Sequence, residues 1–222
     1  MPNLTGVLMI KMYEFLTLAI TETVPNTGEF TIIAMDLKSR NMGCFALSRE
    51  QIISSKGDVY WDIGYKTLVG DLVETNDYYG NVTCTCRALK TAEKVNNFKK
   101  HLEGVSSGET DFFTNCKRKF TVIKVGGLTD ITVKNDDNNT KHYVEVYNQG
   151  LSSYNKKTRI LNKDYRWINY WNFAIKSGLF NEKKDRYLKL LNEQGKDVYF
   201  VLYKRCFSNG KNFYWIAGVH WL

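Results

Sequence analysis

Cations and aromatic rings crowd one part of the sequence. Lys156, Lys157, Arg159, Lys163 and Arg166 form a dense basic run, and Lys183, Lys184 and Arg186 add a second cluster. Tyr154 stands just before the first run and Tyr165 inside it. Cations that track phosphates, beside rings that stack on exposed bases, are the chemistry of nucleic-acid binding without catalysis. The lysines and arginines are the candidate phosphate contacts, and Tyr154 and Tyr165 the candidate stacking residues. Trp167, Tyr170 and Trp171 follow at helical spacing, where aromatics are more often core than platform. A plainer alternative makes them core and the lysines a solvated rim.

No arrangement for catalysis stands out. His101, His142 and His220 neighbour no nucleophile in a recognisable pattern, and neither HExxH, GxSxG nor a phosphate-binding loop occurs. Asp71 and Glu74 are three apart, and Asp197 and Lys204 seven apart, so a strand separates each pair onto opposite faces. Cys44, Cys84, Cys86, Cys116 and Cys206 include no CxxC pair, which argues against zinc and for reduced structural thiols in a cytoplasmic protein. The expectation is no catalytic residue, no metal and no cofactor. A metal-dependent nuclease or nucleotide hydrolase stays as a third reading.

Charge supports the basic run. The chain of 222 residues carries a formal +8. From Gly150 to Leu222 there are fourteen Lys/Arg against five Asp/Glu, which leaves seventeen against eighteen elsewhere. Basicity concentrated in one third suggests that this third makes the electrostatic contact with an acidic partner. The apolar stretch from Val7 to Thr21 holds Lys11 and Glu14 and is too short for a span, so it reads as core, and no membrane partner is expected.

Strands must position most of this chemistry. EFLTLAITET and EFTIIAMDLK flank a turn cluster and predict a hairpin; Ser48 and Gln51 predict a capping box on a short helix. VYWDIGYKTLVGDLVET and NVTCTCRALK read as further strands, and Thr91–Leu102 as a helix. KFTVIKV, DITVK and KHYVEVYN read as three strands with a turn at Asn135–Thr140. Two helices follow, near Arg166–Ser177 and Glu182–Glu193, with Gly178 and Gly195 as stops, then a hairpin turning at Ser208–Lys211. Both faces of its second arm are apolar, as for a strand covered on both sides. No internal repeat is visible.

The fold class that follows is α+β and β-rich, with one or two small β-barrel-like modules (OB-, SH3- or PUA-like), a helical pair and a C-terminal β-hairpin. The polar stretch at 149–158 predicts a division into a β-rich module (1–148) and a basic helix-helix-hairpin module (149–222), either separate or packed as one domain.

TIIAMDLKSRNMGCFAL followed by GYKTLVGDLVE resembles the first half of bacterial dual OB-fold proteins, and DVYFVLYKRCFSNGKNFYWIAGVHWL resembles the closing hairpin of their second half. The resemblance covers about a quarter of the chain. It implies small β-barrels with a nucleic-acid connection and assigns no site residues. The leading expectation is thus a non-enzymatic nucleic-acid-binding protein. The alternative is a protein-interaction module, such as a virus- or mobile-element-encoded inhibitor of a host enzyme, anchored by exposed aromatics.

Overall fold

A computed structural model of the chain describes residues 11–22, 28–76, 82–107, 119–136, 139–148, 156–206 and 212–222. Strands β1 (Tyr13–Glu22), β2 (Glu29–Asp36) and β3 (Met42–Ser48) form an antiparallel meander. Helix α1 (Arg49–Ile52) follows, opened by the expected capping box of Ser48 and Gln51. Strand β4 (Tyr65–Asn76) returns to pair with β1, and β5 (Val82–Ala88) pairs with β4 while lying parallel to β3. The ring β1-β2-β3-β5-β4-β1 is therefore closed, with β6 (Glu93–Lys94) as an extra pairing on β4. A five-stranded Greek-key ring with its helix between the third and fourth strands has OB-type connectivity.

The same wiring recurs. Helix α2 (Phe98–Glu103) and β7 (Ser106–Ser107) precede β8 (Phe120–Val125), β9 (Leu128–Asp136), β10 (Asn139–Asn148) and β11 (Lys156–Asn162). Helices α3 (Tyr165–Lys176) and α4 (Phe180–Glu193) then lead into β12 (Val198–Cys206) and β13 (Asn212–Trp221). The sheet order is β7-β8-β12-β13-β11-β10-β9, with β11 parallel to β13. Strands β8 and β9 act as one strand bent at Gly126-Gly127: the first half pairs with β12, the second with β10. Gly127 has φ 143°, and a Cβ there would lie 2.8 Å from Asn192 Oδ1, so the bend requires glycine. The repeat is one of connectivity, which a search for similar residues does not reveal.

Two sequence expectations change. The helix expected over Thr91–Leu102 starts only at Phe98: Glu93 and Lys94 pair with Lys66 and Tyr65, and Asn97 takes a left-handed φ of 60°. The Glu93 carboxylate, 3.2 Å from Lys66 Nζ, reinforces the strand alternative. The division expected after residue 148 runs through the second barrel, because β10 and β11, on either side of it, are hydrogen-bonded partners. A polar composition marks an exposed connection; it does not tell whether the strands it joins lie side by side.

Three cores result. Phe15, Ile32, Phe45, Trp61 and Val69 fill the first barrel; Ile131, Val144, Ile160, Phe200 and Ile216 fill the second, closed below by Trp167 and Trp171 of α3. Between them lies a seam built from outward-facing residues of both: Leu16, Leu18, Ile33, Met35 and Cys44 against Val122, Tyr199, Val201 and Ala217, with Leu102 of α2. Strand β12 shows why the final hairpin is apolar on both faces. Val198, Phe200 and Leu202 enter the second barrel, while Tyr199, Val201 and Tyr203 enter the seam.

Backbone approach across the seam is close. A Cβ on Gly218 would sit 3.0 Å from Ala19 Cβ and 3.2 Å from Leu18 O. His220 is buried beside it and its Nε2 donates to Leu18 O at 2.8 Å, since a carbonyl only accepts. Burial holds this imidazole at about 4, well below its ordinary range.

Candidate nucleic-acid interface

In the second barrel, β-alternation sends Ile131, Val144 and Ile160 inward and leaves Asp130, Thr132 and Lys134 of β9, Lys141, Tyr143 and Glu145 of β10, and Arg159 of β11 facing outward. Register puts them side by side: Tyr143 is opposite Thr132, Lys141 opposite Lys134, and Glu145 opposite both Asp130 and Arg159. The Arg159 guanidinium lies 4.4 Å from the centre of the Tyr143 ring and donates to Thr132 Oγ1. At the edge of this face, Lys184 of α4 pairs with Asp130 at 3.1 Å, between side chains only partly exposed. Cations thus outnumber carboxylates around one aromatic ring, which is an arrangement able to hold phosphates and stack a base.

The other expected contacts separate into groups. Lys163 lies at the barrel junction with its Nζ 5.8 Å from the Trp215 ring, in a cavity of about 450 Å³ shared with Tyr203 and with Glu22 and Glu29 of the first barrel. Two carboxylates make that cavity a poorer place for phosphate. Lys183 stands over Tyr170 and Phe173, at 5.4 and 5.1 Å from the ring centres. Arg186 is exposed on α4, and Arg166 is exposed on the first turn of α3. Tyr165, expected to be an exposed stacking residue, is half-buried and packs edge-on against Phe30 of the first barrel, ring centres 5.2 Å apart. It begins α3, and the helix start is docked on the neighbouring barrel. Lys156 and Lys157 contribute backbone to β11, but their side chains, like all of Tyr154, lie outside the described residues.

Sequence reasoning missed Thr132, Lys134, Lys141 and Tyr143. The alternation in KHYVEVYN already places Lys141, Tyr143 and Glu145 on one face. The signal was hidden because these residues lie before Gly150, in the electrically balanced part of the chain, and join Arg159 only through strand pairing.

Other titratable groups have structural partners. Asp197 is drawn down to about 2 by Lys124 and Lys99, whose ammonium groups are 2.6 and 2.8 Å away. His101 lies below its ordinary range through partial burial and the charge of Arg40, whose Nη1 donates to Nδ1 at 3.0 Å. Cys84 and Cys86 share the inward face of β5, and burial raises both thiols, Cys86 to about 12. Among the described residues no three His, Cys, Asp or Glu side chains gather as a metal site would need, and no helix is long and apolar enough to cross a membrane.

No protein family and no curated protein matches the sequence. Among solved structures, the chain is similar to the HINb domain of p204, with 9% identity, a TM-score of 0.41, and coverage of 93% of this chain and 97% of that one. It is also similar to the tetrameric p202 HIN2, at 8% identity, TM-score 0.38 and coverage of 96% and 94%. A third is a murine DNA-binding protein bound to double-stranded DNA, at 7% identity, TM-score 0.37 and coverage of 96% and 94%.

Proposed function

We propose that the chain is a non-enzymatic nucleic-acid-binding protein whose contact surface is the outward face of β9, β10 and β11, extended by the basic residues of α4. The observation that carries this reading is Arg159 held over Tyr143, with Lys134 and Lys141 paired across the strands beside it. In OB-type barrels the second and third strands and their adjoining loops are where oligonucleotides bind, and β10 and β11 occupy those places here. The connectivity alone would not assign a function; the residue types on that face support this one. Lys156 and Lys157, next along β11, extend the same basic strip in sequence.

The test is oligonucleotide binding across a salt series. The wild type is expected to bind with an affinity that falls as salt rises, with a slope near −0.7 per phosphate contacted on a single strand. Lys134→Glu with Arg159→Glu should flatten that slope by about 1.4, and Tyr143→Ala should cost about 1–3 kcal/mol of binding. A slope unchanged by the charge reversals would remove this face from consideration.

A protein-interaction role is the second reading, favoured by Tyr170 and by Phe173, which is 63% exposed on α3 beneath Lys183. Retention of one stoichiometric protein after nuclease treatment, lost in Phe173→Ala, would bring it forward.

A further inference from the structure

Adjacent lysines of α4 face different ways. Lys184 reaches Asp130 of β9, whereas Lys183 lies over two rings of α3, its Nζ 5.4 Å from the centre of Tyr170 and 5.1 Å from that of Phe173. Both rings are open to solvent, Tyr170 at 45% and Phe173 at 63% exposure. Single exposed apolar side chains are ordinary, but a contiguous group marks a contact surface. Here the group continues into a cleft of about 620 Å³ among α3, α4, β13 and the first barrel, lined by Tyr170 and by the exposed Trp221 and Leu222.

The charge around this cleft is mainly positive. Arg166, exposed on the first turn of α3, lines it, and Lys183 stands over Tyr170 beside it. At the Leu222 end, Lys99 donates to the Leu222 carbonyl, and Lys99 and Lys124 together outnumber Asp197, the carboxylate they share. Asp164 is the one carboxylate among the described lining residues, and it is 2% exposed. Its oxygens accept from the backbone N–H groups of Arg166, Trp167 and Val219 at 2.9, 3.1 and 2.8 Å, which commits it to holding the start of α3.

The complement is an acidic partner with an apolar anchor. Two rings overlaid by a lysine, beside an aliphatic Leu222, offer nucleobases few faces to stack on. A bilayer is flat and would leave a recess of this volume unfilled. A peptide meets both features together: one large apolar side chain enters the recess, as interface anchors do, while neighbouring carboxylates meet Arg166 and Lys183.

We propose that the α3–α4–β13 cleft is a docking site for an acidic peptide segment anchored by a Leu, Phe or Trp side chain. The proposal rests on the protein-interaction reading, to which it adds a site and a partner chemistry, and it does not involve the β9–β11 face.

The experiment is calorimetric titration of the full chain with a panel of short synthetic peptides that place Asp and Glu around Leu, Phe or Trp at helical or alternating spacing. Matched peptides carry Lys for the acids or Ala for the anchors, and a single-stranded oligonucleotide and anionic phospholipid vesicles complete the set. At least one acidic, anchored peptide is expected to bind saturably, and its two matched controls are expected not to bind. Arg166→Glu with Lys183→Glu should weaken that binding about tenfold or more. Both changes fall close to a helix start, where a carboxylate is favoured, so the melting temperature should hold. Tyr170→Ala should weaken it by a similar factor, and Lys134→Glu with Arg159→Glu should leave it unchanged. The proposal is overturned if no acidic peptide binds saturably, if the Ala control binds as well, or if the reversals at Arg166 and Lys183 have no effect. It is equally overturned if the oligonucleotide or the vesicles, and no peptide, lose binding in those variants. A Lys-bearing peptide that binds and is lost in Phe173→Ala would keep the protein-interaction reading and overturn this one.

Discussion

The two barrels share one wiring plan and use the same surface in opposite ways. In the first, the outward residues of the opening strands are apolar: Leu16, Leu18, Ile33, Met35 and Cys44 are buried in the seam. In the second, the corresponding outward positions are Thr132, Lys134, Lys141, Tyr143 and Arg159, which meet solvent. Connectivity therefore fixes where a surface exists, and the alternate residues along each strand decide whether it packs against a neighbour or stays open to solvent. One barrel has given its face to its neighbour; the other keeps its face open.

That contrast can be broken most sharply in the first barrel. Ile33→Ala is expected to destabilise the protein by about 2–5 kcal/mol, read by chemical denaturation, whereas Tyr143→Ala, outward on the second strand of the other barrel, should change stability by less than about 1 kcal/mol and act on oligonucleotide affinity instead. Equal effects on stability would mean that the two faces do not differ in role.

A pH series probes the seam itself. The folded His220 imidazole titrates near 4, below the ordinary 6.5, so the unfolded chain binds the extra proton between those values. Its contribution is complete above pH 6.5 and is lost as pH falls toward 4, at about 1.4 kcal/mol per unit and so up to about 3 kcal/mol. Asp164, raised by burial against its three backbone bonds, works in the opposite sense and favours the fold as its carboxyl protonates. His220→Gln should flatten the decline between pH 6.5 and 4; an unaltered curve would assign the acid sensitivity to another group.

Gly218→Ala sharpens the same point at a smaller scale. The added methyl would press on Ala19 and on the Leu18 carbonyl, and a loss of about 1–3 kcal/mol is expected in the melting curve. A neutral outcome would show that the barrels can slide apart by a few tenths of an ångström at little cost.

Much of the fold was legible, and for identifiable reasons. The apolar runs in EFTIIAMD and FTVIKV, the Ser48–Gln51 capping box, and Gly178 and Gly195 at φ 70° and 58° are local signals, and the elements they mark are present. The repeat was not legible, because it lies in the order of pairing and not in similar residues. Nor was the limit of the basic surface: Arg159 finds Tyr143 and Thr132 across strands, in a part of the chain whose net charge gives no hint. Tyr165 misled because a helix start rich in polar neighbours is exposed only if nothing docks there, and Phe30 does. The Trp167 and Trp171 spacing pointed to core, and both rings are buried.

Strand Val198–Cys206 sends alternate side chains into two different hydrophobic interiors. Neither half can then melt or be cut away without stripping the other of one wall, so the pair is expected to unfold as a single cooperative body in spite of its doubled plan. An ancestor of one barrel is easy to imagine; a surviving fragment of this molecule is not.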